Sequence, residues 1–529
     1  MRRTRTAAGL CALAVLMAGC SSSKAKSGGS GDKVLNNGTF TVAQAADPGN
    51  LDPQQTVSSS TIPVVQFVYD NLLSITKDGT IQSGLATKWQ VNGTKVDLTI
   101  KSGITCSDGA AFTATDVVDN LKYVADPKSK SPLLGLFLPV GATATADKAA
   151  GTVTITLAKP APFVLNGLAS LPMVCAKGRA DRTSLARQPD GTGPYKLTEA
   201  ASSDHYTFTK RSGYTWGPDG ASTDTAGVPS KVIVKIVPNE TTAANLLLSG
   251  GINAAAILGP DAQRLQAAKL FSQSATQISG EMWFNQASGH PAADKAVRQA
   301  MTSALDLAQE AKVLTSGKGS AGTTFAAVPP VACAGNSIAS ALPPHSLDKA
   351  KASLDSAGWT VGAGGIRAKG GKSLDMTFLN NTDLGAPGSA AGELAAQAWK
   401  LLGVKVTTKA QNSTGINATI FGPGTWDVGW IGLNVSTPDQ LVSFMSGPTP
   451  PNGTNFAHIN NAAYTALVNK AAQRVGTEGC PDWLAAESNQ VKEADVIPFA
   501  NQVTKFFGKK AKFEVTGFLV PTSIRVLAQ

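Results

Sequence analysis

The segment Val96-Asp97-Leu98-Thr99-Ile100 alternates apolar and polar side chains, the period of a half-buried strand. Thr152 to Leu157 alternates in the same way and ends at Pro160 and Pro162. Phe40-Thr41-Val42 opens another strand, and Val232 to Val237 is strongly β-branched. Elsewhere the period is helical. Ile62 to Leu73 carries apolar residues at helical spacing, with Ser58 to Ser60 placed to cap it. Phe112-Thr113-Ala114-Thr115-Asp116 introduces a helix that runs to about Val124. From Asp294 to Leu305, the residues Val297, Ala300, Met301, Ala304 and Leu305 form one apolar stripe. Leu347 to Ala357 predicts a further helix, closed by Gly358 as its C′ residue. Asp47 to Pro53 is turn-rich. Strands alternating with helices predict α/β lobes, and no internal repeat is visible.

The first residues follow a different pattern. Arg2, Arg3 and Arg5 precede the apolar run Ala7 to Ala18. That run is shorter than the roughly 20 residues that span a bilayer, so it predicts a secretory signal. Leu16-Met17-Ala18-Gly19-Cys20 resembles a bacterial lipobox, with Met17 where Leu is usual, and predicts acylation of Cys20. The alternative is an ordinary cleaved signal with an incidental cysteine. Ser21 to Gly31 is almost wholly Ser, Gly and Lys, the composition of a flexible tether. The expectation is an exported body, anchored by lipid to the outer face of the cell membrane.

Composition narrows the rest. A chain of 529 residues exceeds a single core, so two or more lobes are expected. The net charge of +10 is scattered singly rather than gathered into the basic stripe that nucleic acid requires, and no nucleic-acid partner is expected. Besides Cys11 and Cys20, the cysteines are Cys106, Cys175, Cys333 and Cys480. They are widely spaced with no CxxC, which argues against a zinc site and for disulfides in an exported protein. Three pairings are open. Cys106–Cys175 and Cys333–Cys480 is the expected one, since each pair then falls within one lobe.

The search for chemistry finds little. His205, His290, His345 and His458 are isolated, without metal-ligand spacing. Gly371-Lys372-Ser373 resembles the end of a phosphate loop, but Ile366 stands where its first glycine belongs. Gly191-Thr192-Gly193 runs into Pro194, which cannot open a dinucleotide loop in the usual way, and no GxSxG elbow is present. No catalytic residue, metal or cofactor is expected.

Several blocks, in order, carry a resemblance over nearly the whole body. They begin with Asn50-Leu51-Asp52-Pro53 and Tyr69-Asp70-Asn71-Leu72, then Leu85-Ala86 with Trp89. Ser107-Asp108-Gly109 and Phe112 to Val117 follow, then Gly191-Thr192-Gly193-Pro194-Tyr195, with Tyr214, Trp216 and Gly217 behind it. Ser249 to Asn253, Asn285, Asp294 with Val297 to Ala300, and Ala350 to Trp359 complete the series. Together they resemble the bacterial extracellular solute-binding proteins of family 5, the dipeptide- and oligopeptide-binding type. The resemblance implies an α/β fold of two lobes joined by a hinge, of the type II periplasmic-binding-protein kind, with an extra subdomain in the first lobe. The expected organisation is a signal at 1–19, an anchored linker at 20–36, lobe I at 37–285 with an insert at about 56–185, lobe II at 286–490, and a return to lobe I at 491–529. It further implies a monomer that closes on a small organic solute, peptide above all, and offers it to the permease subunits of an ABC importer. From the residues themselves, Asp116 is expected to cap or salt-bridge a helix, and Arg298 to hold two segments together.

Gly429 to Asn434, followed by Pro438-Asp439, resembles the family's ligand loop. The position of the aspartate that pins a dipeptide's α-ammonium is here Leu433. An ammonium buried without a counter-charge costs several kcal/mol, so a free-amine dipeptide held in that way is disfavoured. Trp430 is the leading candidate contact, since an indole offers broad apolar area and one donor. Trp283 and Asn285 near the lobe crossing, Trp426, Asn434, and Ser58 and Ser59 at a helix start complete the candidates. The rival readings are a secreted peptide or sugar hydrolase, and a ligand-sensing lipoprotein without transport.

Overall fold

The computed structural model of the chain describes residues 33–58, 60–423, 425–474 and 476–528. The signal, Cys20, most of the linker and Ser59 lie outside the described residues. One sheet of eleven strands organises the molecule. At one end, Thr39–Gln44 lies parallel to Lys231–Ile236 and Ala254–Ile257, with His205–Lys210 and Tyr195–Ala201 added antiparallel at the edge. At the other end, Asp375–Asn381 lies parallel to Lys405–Gln411 and to Val428–Trp430.

Two long antiparallel strands, Phe271–Phe284 and Val496–Gly508, join these ends. Their register runs from Phe271 opposite Gly508 to Trp283 opposite Val496. The Lys505–Gly508 end pairs with Ala254–Ile257, while the Met282–Phe284 end pairs with Val428–Trp430. Each strand therefore belongs to both lobes, and the chain passes between them twice. The ladder slips at Ile278, Gly280 and Glu281, a bulge in the middle of the crossing.

A second sheet, of Ala86–Asn92, Lys95–Ile100, Thr152–Thr156 and Thr143–Asp147, forms a separate layer with the helix Ala114–Ala125. Its alternation is the one read from Val96 to Ile100, with Val96, Leu98 and Ile100 buried. The helix starts as expected. Asp116 accepts the Thr113 backbone N–H and hydroxyl, and it also pairs with Arg179 at 2.8 Å. Asp294 caps Lys295–Ser303, and Gly358 follows Leu347–Ser356 with a φ of +84°. Arg298 donates to Ala494 O and Glu493 O and pairs with Asp495, so it does tie two segments together.

The expected helix from Ile62 to Leu73 is corrected to a single turn, Ile62–Val65. Ser58 and Ser60 do not cap it, since Thr61 holds the N-cap position and its hydroxyl donates to Pro48 O. The physical reason lies in the next backbone groups. Phe67 O accepts the Tyr195 N–H and Val68 O accepts the Gly193 N–H, so these carbonyls are not free for helical bonds. The close approach requires glycine, because a Cβ at position 193 would come within 2.5 Å of the Val68 carbonyl carbon. Both expected disulfides are present, Cys106–Cys175 in the first lobe and Cys333–Cys480 in the second.

Candidate functional site

The crossing strand Phe271–Phe284 organises the candidate site. Val428–Trp430 pairs with its end, and the chain then continues along it as a loop, Ile431–Asn434. The Ile431 N–H donates to Glu281 O at 2.9 Å. The Leu433 N–H donates to Glu281 Oε2 at 2.8 Å. Asn434 closes over the bulge, accepting the Ile278 N–H at 2.7 Å and donating to Ile278 O at 3.4 Å. Trp283 Nε1 donates to Ile431 O at 2.8 Å. Side-chain bonds thus extend the pairing of Val428–Trp430 along the edge of the crossing strand away from Val496–Gly508.

Burial sorts the candidate contacts. Trp430 is 1 % exposed and packs edge-on against Phe378 and Phe499, with ring centroids 5.3 and 5.2 Å away. Trp283 and Trp426 are also fully buried, both against Phe456. Asn285 is buried and donates to Trp426 O. In this conformation the three indoles lie in the core, and the Asn285 side chain bonds Trp426 O, His290 and the Ala287 N–H. The accessible surface is made by Gly432 and Asn434, which are exposed, and Leu433, which is half-buried. Ser58 is exposed too, with its hydroxyl bonded to that of Ser60.

The residue that sequence reasoning missed is Glu281. It is fully buried, and its Oε1 has no partner. Burial pushes its carboxyl up to about 8, against the pull of the Leu433 amide and the Trp283 indole, and the charge of Glu487 pushes the same way. Glu487, on the helix Cys480–Lys492, is itself raised to about 7 by burial, offset in part by the Ser337 hydroxyl and by the Phe325 and Ala326 amides. Burial raises Asp439 to about 6. A single charge at the head of the apolar run Met282-Trp283-Phe284 was the available signal.

The same helix brings the lobes into contact. Phe163, from the first-lobe layer, is buried in the hydrophobic cluster otherwise built from residues 282–500. Its ring centroid lies 6.3 Å from that of Trp483. Trp483 and Glu487 are one helical turn apart and share a face. Among the described residues no group of three or more His, Cys, Asp or Glu side chains is placed to hold a metal, and no helix is long and apolar enough to cross a membrane.

Two lobes joined by paired strands, with an exposed loop docked on the junction, define a solute-binding protein of the two-lobed α/β class. Residues 80–454 match the model described as bacterial extracellular solute-binding proteins, family 5 Middle. The chain belongs to this family. The periplasmic murein peptide-binding protein MppA of Escherichia coli K12 is 25 % identical over 491 residues, covering 85 % of each chain. A substrate-binding protein of Microbacterium hydrocarbonoxydans, solved with 4-hydroxybenzoate hydrazide, aligns with a TM-score of 0.77 at 23 % identity, over 92 % of this chain and 99 % of its own. The oligopeptide-binding protein AppA of Bacillus subtilis, solved with a nonapeptide, aligns with a TM-score of 0.76 at 18 % identity, over 94 % and 100 %. These structures share the two-lobed fold with this chain.

Proposed function

We propose that this chain captures a peptide between its two lobes and offers it to the permease of an ABC importer, catalysing no reaction itself. The observation that carries this reading is the lobe crossing: two strands common to both lobes, with the exposed loop Gly432–Asn434 docked on them. Paired strands of this kind allow hinge closure around a solute. Membership of the family supports solute capture, and the peptides named for MppA and AppA support the class. In this reading lobe I comprises 37–285 with its insert at about 56–185, lobe II comprises 286–490, and 491–529 return to lobe I. Cys20 carries the lipid anchor that holds a monomer at the outer membrane face. Leu433, Asn434 and Ser58 meet the solute, while Trp430, Trp283, Trp426 and Asn285 support the loop from beneath. Leu433 supplies no counter-charge, so the loop suits peptides whose ammonium is blocked or held elsewhere.

The test is a thermal-shift panel of di- to nonapeptides, free and N-acetylated, on the soluble body. A bound peptide at a hundred times its Kd adds about 2.7 kcal/mol. Stabilisation with the peptide recovered intact is the expected result. Absence of any shift, or recovery of cleaved peptide, overturns the reading.

A further inference from the structure

The 431–434 loop is held to the crossing strand by one acidic side chain whose second oxygen is buried and bonded to nothing. The loop's other attachments are the Ile431 N–H to Glu281 O, the Asn434 amide on Ile278, and the Trp283 indole on Ile431 O. None of these titrates. We infer that Glu281 is the positioning residue of this loop and that its ionisation releases the loop, which ties solute capture to pH. The consequence for capture rests on the proposed function; the release of the loop does not.

The physical argument starts from Oε1. A neutral carboxyl in this buried site leaves one polar atom unpaired, which costs stability. A carboxylate in the same place needs water or a cation, and costs far more without one. Neither is supplied by the elements packed around it. The helix Cys480–Lys492 presents another carboxyl, Glu487. Beyond Glu487 come the phenol of Tyr464 and the carboxyl of Asp439, both acting in the same region. The loop itself presents only the Leu433 amide, and the strand presents the Trp283 indole. Ionised Glu281 is therefore stable only if water reaches it. The path is through the loop, because Gly432 and Asn434 are already exposed and Leu433 is half-buried. Lifting the loop hydrates the carboxylate and separates it from Glu487.

The experiment is amide hydrogen exchange of residues 428–436 in the ligand-free protein from pH 6 to pH 9.5, corrected for intrinsic rates. Wild type is expected to protect the Leu433 amide at low pH and to lose about tenfold in protection as pH rises through the Glu281 transition. Glu281→Gln keeps the acceptor and cannot ionise, so its protection should stay high and flat. Glu281→Ala should lose protection at every pH. Glu487→Gln removes the like charge and should move the wild-type transition to lower pH. A wild-type profile that stays flat, or a Glu281→Gln profile that falls together with wild type, overturns the inference. Because no ligand is present, failure of the peptide reading leaves this result readable. If it succeeds, affinity for a peptide from the panel should fall with pH in wild type and not in Glu281→Gln.

Discussion

The first lobe and the lobe crossing each hold a carboxyl whose ordinary value is raised by desolvation, half-buried Asp70 and buried Glu281, and the two are surrounded in opposite ways. Asp70 accepts from the Tyr214 hydroxyl at 2.9 Å, the Thr192 hydroxyl at 2.9 Å and the Trp216 indole at 3.3 Å. The charges of Arg211 and Lys101 also act in its neighbourhood. Glu281 has the Leu433 amide on one oxygen, no hydrogen-bond partner on the other, the Trp283 indole shared with Ile431 O nearby, and a second carboxyl as its charged neighbour. A carboxyl with its donors complete fixes a scaffold. One with its donors incomplete sits where a small displacement relieves it.

Four changes test that contrast. Asp70→Ala leaves the Tyr214 and Thr192 hydroxyls without their acceptor and Arg211 without a nearby opposite charge, while the Trp216 indole keeps Thr192 O, and is expected to cost about 3–5 kcal/mol in urea unfolding. A loss below about 1 kcal/mol would show that the network is not holding the lobe. Replacing Cys106 and Cys175 by serine should cost about 2–5 kcal/mol, measured against the same change at Cys333 and Cys480. At the crossing, the sign is set by protonation. The folded value of Glu281 lies near 8, above its ordinary 4.5, so the folded state holds the extra proton. The stability this contributes is complete below pH 4.5 and is lost as pH rises through about 8. Glu281→Gln should flatten that part of the pH–stability curve while changing stability at pH 5 by less than about 1.5 kcal/mol; an unchanged slope would assign it to another group. Asn434→Ala removes two hydrogen bonds to Ile278 at an exposed position and should cost about 1 kcal/mol or less, read by denaturation midpoint.

The contrast also explains what could be read from the residues. Val96 to Ile100 and Thr152 to Leu157 alternate because their layer is buried on one face, and both were legible. The Thr113–Asp116 capping box, the Asp294 cap and the cysteine pairing were legible because each depends on a few residues close in sequence or on the lobe each falls in. The crossing was not. From Ile278 to Phe284 every residue is buried, which erases the alternation by which a strand is recognised. Ile62 to Leu73 misled in the reverse direction, since its helical spacing gave way to bonds with Gly193 and Tyr195 more than a hundred residues away. Trp430 had the right chemistry for a contact. Its burial depends on Phe378 and Phe499, which no local pattern connects to it.

The order in which the crossing strands occur along the chain sets a constraint on assembly. Ala254–Ile257 has as its inner neighbour Val496–Gly508, and Phe40 packs edge-on against Phe513. The second lobe finds all of its sheet between residues 271 and 508, but the first must wait for residues made some 250 positions later. A chain emerging N-terminus first thus begins with the lobe it finishes last. Truncation before Val496 removes a central strand that both lobes share, so even the earliest part of the polypeptide is exposed to an interrupted synthesis or a clipped C-terminus.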